Sequence, residues 1–187
     1  MRLFIAVELP SSIQSKLAEK IEIFKNPKDK ITWVQPQNIH LTLKFLGDVS
    51  EEKVAQIKDA ISSASLLFKP NACIIKGFGV FPDTRNPRVF WAGITDGADE
   101  IKGIAKELEN RLEKMGFPAE KRDFVPHLTL GRIKFIKDAK YFDGLLEKHK
   151  DDLIADAVVR NILLVKSTLT QGGSIYTIIQ KSELVIV

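Results

Sequence analysis

The tetrapeptide His-Leu-Thr-Leu occurs twice in this 187-residue chain, at residues 40–43 and again at residues 127–130. The chain has three histidines, so two of them begin the same short motif. Displacing the sequence by 86 or 87 residues also aligns RLFIAV at 2–7 with RVFWAG at 88–93. The period is too long for a solenoid repeat and indicates an internal duplication instead. We therefore expect a single bilobal domain over 1–187, with approximate halves 1–86 and 87–187 related by a two-fold axis.

The order of predicted elements is the same in both halves: a β-rich run, a helix, the HLTL strand and a second helix. Apolar residues recur every three or four positions in the predicted helices, and Ser11 or Ser12 is expected to cap the first of them. Further strands are predicted where β-branched residues dominate, and turns where Pro, Asn, Asp and Gly cluster. The predicted helices are 11–25, 51–65, 99–115 and 138–149; the strands outside HLTL are 2–8, 71–80, 88–94, 156–166 and 174–187; the turns are 26–30, 82–87 and 170–173.

This mixture of strands and helices predicts an α+β fold of two pseudo-symmetric lobes. Each lobe is expected to be a mostly antiparallel sheet with helices on the outside, and the active site to lie in a cleft between the lobes. No glycine-rich phosphate loop opens a helix, which argues against a dinucleotide-binding fold and indicates no cofactor.

Composition narrows the class of protein further. The single cysteine, Cys73, is expected in the core and excludes an internal disulfide. No apolar run approaches the ~18 residues of a membrane span, so we expect a cytoplasmic protein with no membrane partner. A net charge of +4 and a pI near 9.1 suit a polyanionic partner. Nothing in the pattern demands an obligate protein partner, and a monomer is the default expectation.

Alternation of side chains along a strand places His40 and Thr42 on one face, with the leucines on the other. His127 and Thr129 repeat this arrangement, so two imidazoles and two hydroxyls can face each other across a shared groove. The same alternation puts Phe45 on the core face. The alternatives are a structural role and a metal site. A metal site needs a third or fourth ligand at recognisable spacing, and neither motif supplies one; His149 lies in a polar stretch expected at the surface.

Acid–base catalysis without a metal is the third interpretation. An imidazole titrates near neutral pH, so one histidine can donate a proton while the other accepts one. The two threonine hydroxyls can donate hydrogen bonds to non-bridging phosphate oxygens, and Arg132 offers a planar, charged fork suited to phosphate. A strained cyclic phosphodiester fits this set of groups. The nearly symmetric motifs do not say which histidine is the acid.

The segments HLTLKFLG at 40–47 and PHLTLGR at 126–132 resemble the two HxTx motifs of the two-histidine phosphoesterase superfamily, and most closely its RNA 2′,3′-cyclic phosphodiesterase (2′-5′ RNA ligase) branch. The resemblance implies metal-independent hydrolysis of RNA 2′,3′-cyclic phosphate ends, including those of tRNA-like fragments, to 2′-phosphomonoesters. It also implies a weak, reversible, ATP-independent 2′,5′-ligation activity in some members. By motif order, the resemblance implies that His40 is the proton donor and His127 the proton acceptor.

Two other functions stay open: action on 2′,5′-linked oligonucleotides or small cyclic nucleotides, and non-catalytic binding of RNA ends. Arg122 and Tyr176 join Arg132 as candidate substrate-binding residues. Tyr176 fits a groove or the core equally well. Lys44, Lys121 and Lys134 lie near the motifs in sequence, where each can steer RNA or be a solvated surface charge.

Overall fold

The computed structural model describes residues 1–185, which form nine strands and four α-helices. The strands are β1 (Arg2–Val7), β2 (Lys30–Trp33), β3 (Leu41–Asp48), β4 (Asn71–Phe81), β5 (Val89–Ile94), β6 (His127–Phe135), β7 (Leu153–Val159), β8 (Asn161–Thr170) and β9 (Gly173–Glu183). The helices are α1 (Ser11–Ile21), α2 (Glu51–Ser65), α3 (Ala98–Lys114) and α4 (Ala139–Lys148), and single turns of 3-10 helix span Glu22–Phe24 and Pro36–Asn38.

All strand pairings in this part of the chain are antiparallel, and they join into one curled sheet in the order β7-β4-β5-β6-β3-β1-β8-β9, with β2 paired to β6. The β3–β6 pairing lies at the centre of this order, with β1 beside β3 and β5 beside β6. On one side β3, β1, β8 and β9 form what we call the first half-sheet, and on the other β6, β5, β4 and β7, with β2, form the second. The predicted α+β fold with mostly antiparallel strands is confirmed.

Each half-sheet takes strands from both halves of the sequence. β4, from the first half, lies in the second half-sheet, whereas β8 and β9, from the second half, complete the first. The chain order strand-helix-strand-helix-strand is the same for β1-α1-β3-α2-β4 and β5-α3-β6-α4-β7, apart from β2 and the short 3-10 turns. The duplication itself stays an interpretation of the sequence.

The helices bury the apolar stripes that their spacing predicts. Ile101, Leu108 and Leu112 of α3 are inaccessible to solvent, as are Ile57 and Ile61 of α2. This burial supplies the main folding free energy of each helix, because isolated helices of this length are marginal in water. The HLTL leucines, the buried Cys73 and the helix stripes belong to the same core cluster.

Several element boundaries differ from the expectations. Ser11 is the first helical residue and Pro10 occupies the cap position, so the predicted serine side-chain cap is wrong. The predicted strand 156–166 is two strands divided at Arg160, where the chain passes from the second half-sheet to the first. β2 follows a segment predicted to be a turn. The last two residues of the predicted strand 174–187 lie outside the described residues. Within residues 1–185, no helix is both long and apolar enough to cross a membrane.

Candidate active site

The two HLTL motifs meet where the two half-sheets join. The pairing between β3 and β6 is Leu41 with Leu128, in antiparallel orientation. Extending that register by one residue in each direction places His40 across from Thr129 and His127 across from Thr42. The two histidines are then diagonal neighbours, and in an ideal antiparallel ladder the Cα atoms of such neighbours are roughly 7–8 Å apart. Both leucines are buried, which directs all four polar side chains to the opposite face.

Both imidazole rings are held by the same backbone contact. Nδ1 of His40 lies 2.7 Å from the carbonyl oxygen of Asn38, and Nδ1 of His127 lies 2.7 Å from the carbonyl oxygen of Val125. A carbonyl oxygen only accepts hydrogen bonds, so Nδ1 carries the proton in each ring. Nε2 is therefore the nitrogen available for proton transfer in both motifs.

Aromatic rings enclose the two histidines differently. The His40 ring stacks on Phe4, with centroids 4.8 Å apart and an angle of 28° between the planes, and Tyr176 meets it edge-on at 5.2 Å. The His127 ring has edge-on neighbours instead, Phe81 at 5.0 Å and Trp91 at 6.5 Å. This difference breaks the near-symmetry of the site.

Burial lowers the pKa of both histidines. Desolvation of the charged ring is the main cause for His40 and for His127, and the backbone hydrogen bond at Nδ1 partly opposes it in each case. In both half-buried imidazoles burial thus favours the neutral form, in which Nε2 is unprotonated. An anionic ligand bound between them would favour protonation of either ring.

A β-bulge at the last residue of each motif changes which later side chains reach the cleft. In β3 the partners of β1 skip Leu43, and in β6 the partners of β5 skip Leu130. The extra residue reverses the alternation, so Phe45 and Arg132 lie on the same face as the histidines. Phe45 is 67% exposed, which shows that its predicted core position is wrong. Arg132 is exposed beside the second motif and pairs across the sheet with Val89 and Thr32.

The bulge sends Lys44 in the opposite direction. Its side chain is 6% exposed, and Nζ donates hydrogen bonds to Glu109 Oε2 at 2.6 Å and to the carbonyl oxygen of Pro118 at 3.0 Å. Lys44 therefore ties β3 to α3 on the core side and is not an RNA-steering surface charge.

The remaining predicted residues divide between the cleft and the surface. Tyr176 reaches the cleft, since its ring contacts both His40 and Phe4. Arg122 is exposed on the loop that leads into β6. His149 was expected at the surface, and this prediction is wrong. Its side chain is 13% exposed, and its Nδ1 lies 2.9 Å from Asp152 Oδ2. It joins the end of α4 to the start of β7, away from the motifs.

A groove of about 1300 Å³ begins beside His40. Phe4, Tyr176 and Ile178 line its apolar part, and Glu8 with Lys181 lies further along it. His127 does not line this groove, so the groove extends from the His40 side of the two motifs only.

Sequence reasoning missed Asn38. Its carbonyl oxygen holds His40, and its side-chain Nδ2 donates a hydrogen bond to the carbonyl oxygen of Ser174 in β9, at 3.0 Å. Asn38 thereby links His40 to the strand that carries Tyr176. The sequence offers no signal for this contact, because a backbone carbonyl makes it and the corresponding residue of the second motif is Val125.

The model of the family described as LigT-like phosphoesterase matches this chain twice, over residues 7–91 and 93–176. Each match contains one HLTL motif. Proteins named RNA 2′,3′-cyclic phosphodiesterase are similar over nearly the whole length. The one from Methanocaldococcus jannaschii is 38% identical over 97% of this chain and 99% of its own. The one from Aquifex aeolicus is 37% identical over 97% and 96%.

Solved structures share the fold. The structure of TT0787 from Thermus thermophilus superposes with a TM-score of 0.83 at 29% identity, covering 98% of both chains. E. coli LigT complexed with 3′-AMP superposes with a TM-score of 0.80 at 24% identity, covering 98% of this chain and 97% of its own. The second similarity is one of fold alone.

Proposed function

The chain belongs to the LigT-like phosphoesterase family, and from this premise we propose that it is a phosphodiester hydrolase that opens RNA 2′,3′-cyclic phosphate ends. The relatives' name supports the substrate class. The observation that carries the proposal is the β3–β6 register, because it sets two imidazoles and two threonine hydroxyls around one space. RNA carrying the cyclic end, tRNA-like fragments included, is then the partner.

The proposed reaction needs two simultaneous proton transfers. Nε2 of neutral His127 accepts a proton from water as the water oxygen attacks phosphorus. Nε2 of protonated His40 donates its proton to the departing 3′ oxygen as the P–O3′ bond breaks. The products are a 2′-phosphomonoester and a free 3′-hydroxyl, and the proton count balances because one ring gains what the other loses.

The assignment of His40 as the acid has structural support in its surroundings. The stacked Phe4 ring presents a π face to His40, and such a face favours a cation. His127 lacks such a stacked neighbour, since Phe81 and Trp91 are steeply inclined to its ring. Burial opposes protonation of His40 in the free protein, but the negative charge of the bound phosphate favours it.

The phosphate itself is bound by hydroxyls and one guanidinium in this proposal. Thr42 and Thr129 donate hydrogen bonds to the non-bridging oxygens, and Arg132 approaches from the bulged end of the second motif. Tyr176 forms a wall beside the His40 side of the substrate, and Arg122 is a peripheral candidate for the RNA backbone. Because one negative charge needs little compensation, we propose that no metal ion takes part.

Turnover of a short RNA ending in a 2′,3′-cyclic phosphate, measured in EDTA, tests the proposal. We expect the wild-type protein to be active and His40→Ala and His127→Ala each to lose about 10²–10⁴-fold. Phosphorus NMR should then identify a 2′-phosphomonoester. Tight RNA binding without turnover would favour an RNA-end-binding protein, and activity lost in EDTA but restored by zinc would favour a metal enzyme.

The same preparation tests the other open activities. Faster cleavage of a 2′,5′-linked dinucleotide than of the cyclic end would reassign the substrate. Joining of the 2′,3′-cyclic phosphate end to a 5′-hydroxyl RNA without ATP, in which the 5′ oxygen displaces O3′ from phosphorus, would establish the 2′,5′ ligation. The cytoplasmic location and the monomeric state stay predictions from the sequence; size-exclusion chromatography tests the latter.

A further inference from the structure

A second, smaller pocket lies at the far end of β6. It has a volume of about 220 Å³ and is lined by residues 84–88 of the β4–β5 loop, by residues 133–136, and by three residues of α4. Backbone contacts fix the loop against the strand, since the Ile133 amide donates to the Arg88 carbonyl oxygen at 2.8 Å and Val89 pairs with Arg132. The pocket is thus continuous with the strand that carries the second motif.

The charged side chains that line this pocket are mainly cationic. Arg85, Arg88 and Lys134, which we call the basic patch, are all exposed. Among residues 1–185, neither Arg88 nor Lys134 has a carboxylate within 4 Å. Arg85 contacts Asp83 at 3.4 Å, but an ion pair this exposed contributes little. One carboxylate, that of Asp143, also lines the pocket.

An exposed aromatic ring adjoins these charges. Phe135 is 48% exposed and lines the same pocket. Cations beside an exposed ring are the combination with which proteins hold single-stranded nucleic acid, because the cations neutralise phosphates and a base stacks on the ring. About half of the Phe135 side chain is thus accessible to a ligand.

The distance from the motif determines which part of a substrate can reach the patch. Lys134 is seven residues after His127, and at ~3.3 Å per residue the strand covers roughly 23 Å between them. A mononucleotide bound at the histidines is too short to reach so far. The cyclic phosphate is a 3′ terminus, so an RNA strand continues from it only in the 5′ direction.

Resting on the proposed function, we propose that the basic patch binds the phosphodiester backbone of the RNA several nucleotides on the 5′ side of the cyclic end. Arg88 and Lys134 contact phosphates and Phe135 stacks with a base. This contact is independent of sequence, because phosphates carry no base identity. It makes the protein a processor of RNA strands in preference to free cyclic mononucleotides.

The test compares two substrates with the same reacting end, a 2′,3′-cyclic mononucleotide and a 12-nucleotide RNA ending in that nucleotide. We expect the double variant Arg88→Ala/Lys134→Ala to lower kcat/KM for the 12-mer about 10-fold at low salt, through KM, and to leave the mononucleotide within two-fold. The slope of log(kcat/KM) for the 12-mer against log salt should become shallower by about 1.4, since each lost phosphate contact contributes roughly 0.7 for a single strand.

The matched control is Lys106→Ala/Lys114→Ala, which removes two exposed cations from α3, a helix that packs on the core side of β3. It should behave as wild type with both substrates. The proposal is overturned if the patch variant slows both substrates equally, if it slows neither, or if the control slows the 12-mer as much.

A binding measurement separates this inference from the proposed function. Should no preparation open the cyclic end, fluorescence anisotropy with a labelled 12-mer still compares patch and control variants. Selective loss of binding by the patch variant supports the RNA-backbone surface without catalysis, and equal binding by both variants contradicts it.

Discussion

The carbonyl oxygen of Asn38 lies 2.7 Å from Nδ1 of His40. This contact fixes the tautomer of the ring and aims Nε2 at the cleft, and Val125 makes the same contact with His127. The two halves of the site thus share a backbone mechanism for orienting a base. The two imidazoles differ in their aromatic neighbours. Phe4 stacks on His40, whereas Phe81 is steeply inclined to the His127 ring.

Asn38 should matter through its side chain as well as its carbonyl group. Its amide holds Ser174 of β9, and with it the strand that positions Tyr176 beside His40. We expect Asn38→Ala to lower kcat about 5- to 10-fold with KM nearly unchanged, the effect of one lost hydrogen bond. Val125→Ala, at the corresponding position of the second motif, is the control and should cost less than about two-fold. Equal losses for both variants would show that Asn38 has no special positioning role.

Stacking on Phe4 should raise the proton affinity of His40 above what burial alone gives. Replacing the ring by Leu keeps most of the apolar volume but removes the π face. We expect Phe4→Leu to lower the pKa of His40 by about 0.5 unit, from a cation–π contribution of roughly 0.5–1 kcal/mol. Histidine resonances followed by NMR from pH 4 to 8 measure this, with His127 as the internal reference. An unchanged or raised His40 pKa would remove the structural basis for calling it the acid.

Lys44 should be a stability residue. Lys44→Met leaves the Glu109 carboxylate, 24% exposed, without its cation. We expect a loss of about 3 kcal/mol in the free energy of unfolding, measured with urea, because half of a buried ion pair is removed. Lys20→Met breaks a more exposed pair with Asp152 and should cost less than about 1 kcal/mol. An effect on the KM for RNA, without loss of stability, would restore the steering role suggested by the sequence.

The lowered histidine pKa values predict how stability responds to acid. Both folded pKa values lie below the ordinary value of 6.5, so the unfolded chain binds more protons in between. Their contribution to stability is therefore complete above about pH 6.5 and is lost as pH falls through the folded pKa values. Between pH 7.5 and 5, we expect the urea midpoint of the wild type to fall more than that of His40→Asn/His127→Asn. Parallel falls in both proteins would contradict the predicted shifts.

Much of the site was predictable because period-two alternation is a local property. The leucines of both motifs are buried and the His-Thr pairs face the cleft, as the tetrapeptide alone implies. The bulges at Leu43 and Leu130 were not predictable in this way. They arise from pairing with β1 and β5, strands distant in sequence, and they reverse the positions of Lys44 and Phe45.

The topology was predictable in class but not in detail. β-rich runs and amphipathic helices indicated an α+β fold, yet nothing local showed that β4 would leave its own half of the sequence to pair with β5. The short strand β2 was hidden for a similar reason, since its four residues follow a turn-like segment and are stabilised by β6. Asn38 was overlooked because its partner, Ser174, is 136 residues away.

The pH dependence of kcat/KM for the cyclic end, from pH 5 to 9, tests most directly whether the two imidazoles hold opposite protonation states at one phosphate. For the wild type we expect a bell-shaped profile of kcat/KM against pH. The residual activity of His40→Asn should lack one limb of this profile, and that of His127→Asn should lack the other. A flat wild-type profile, with the chemical step shown to limit the rate, would contradict it.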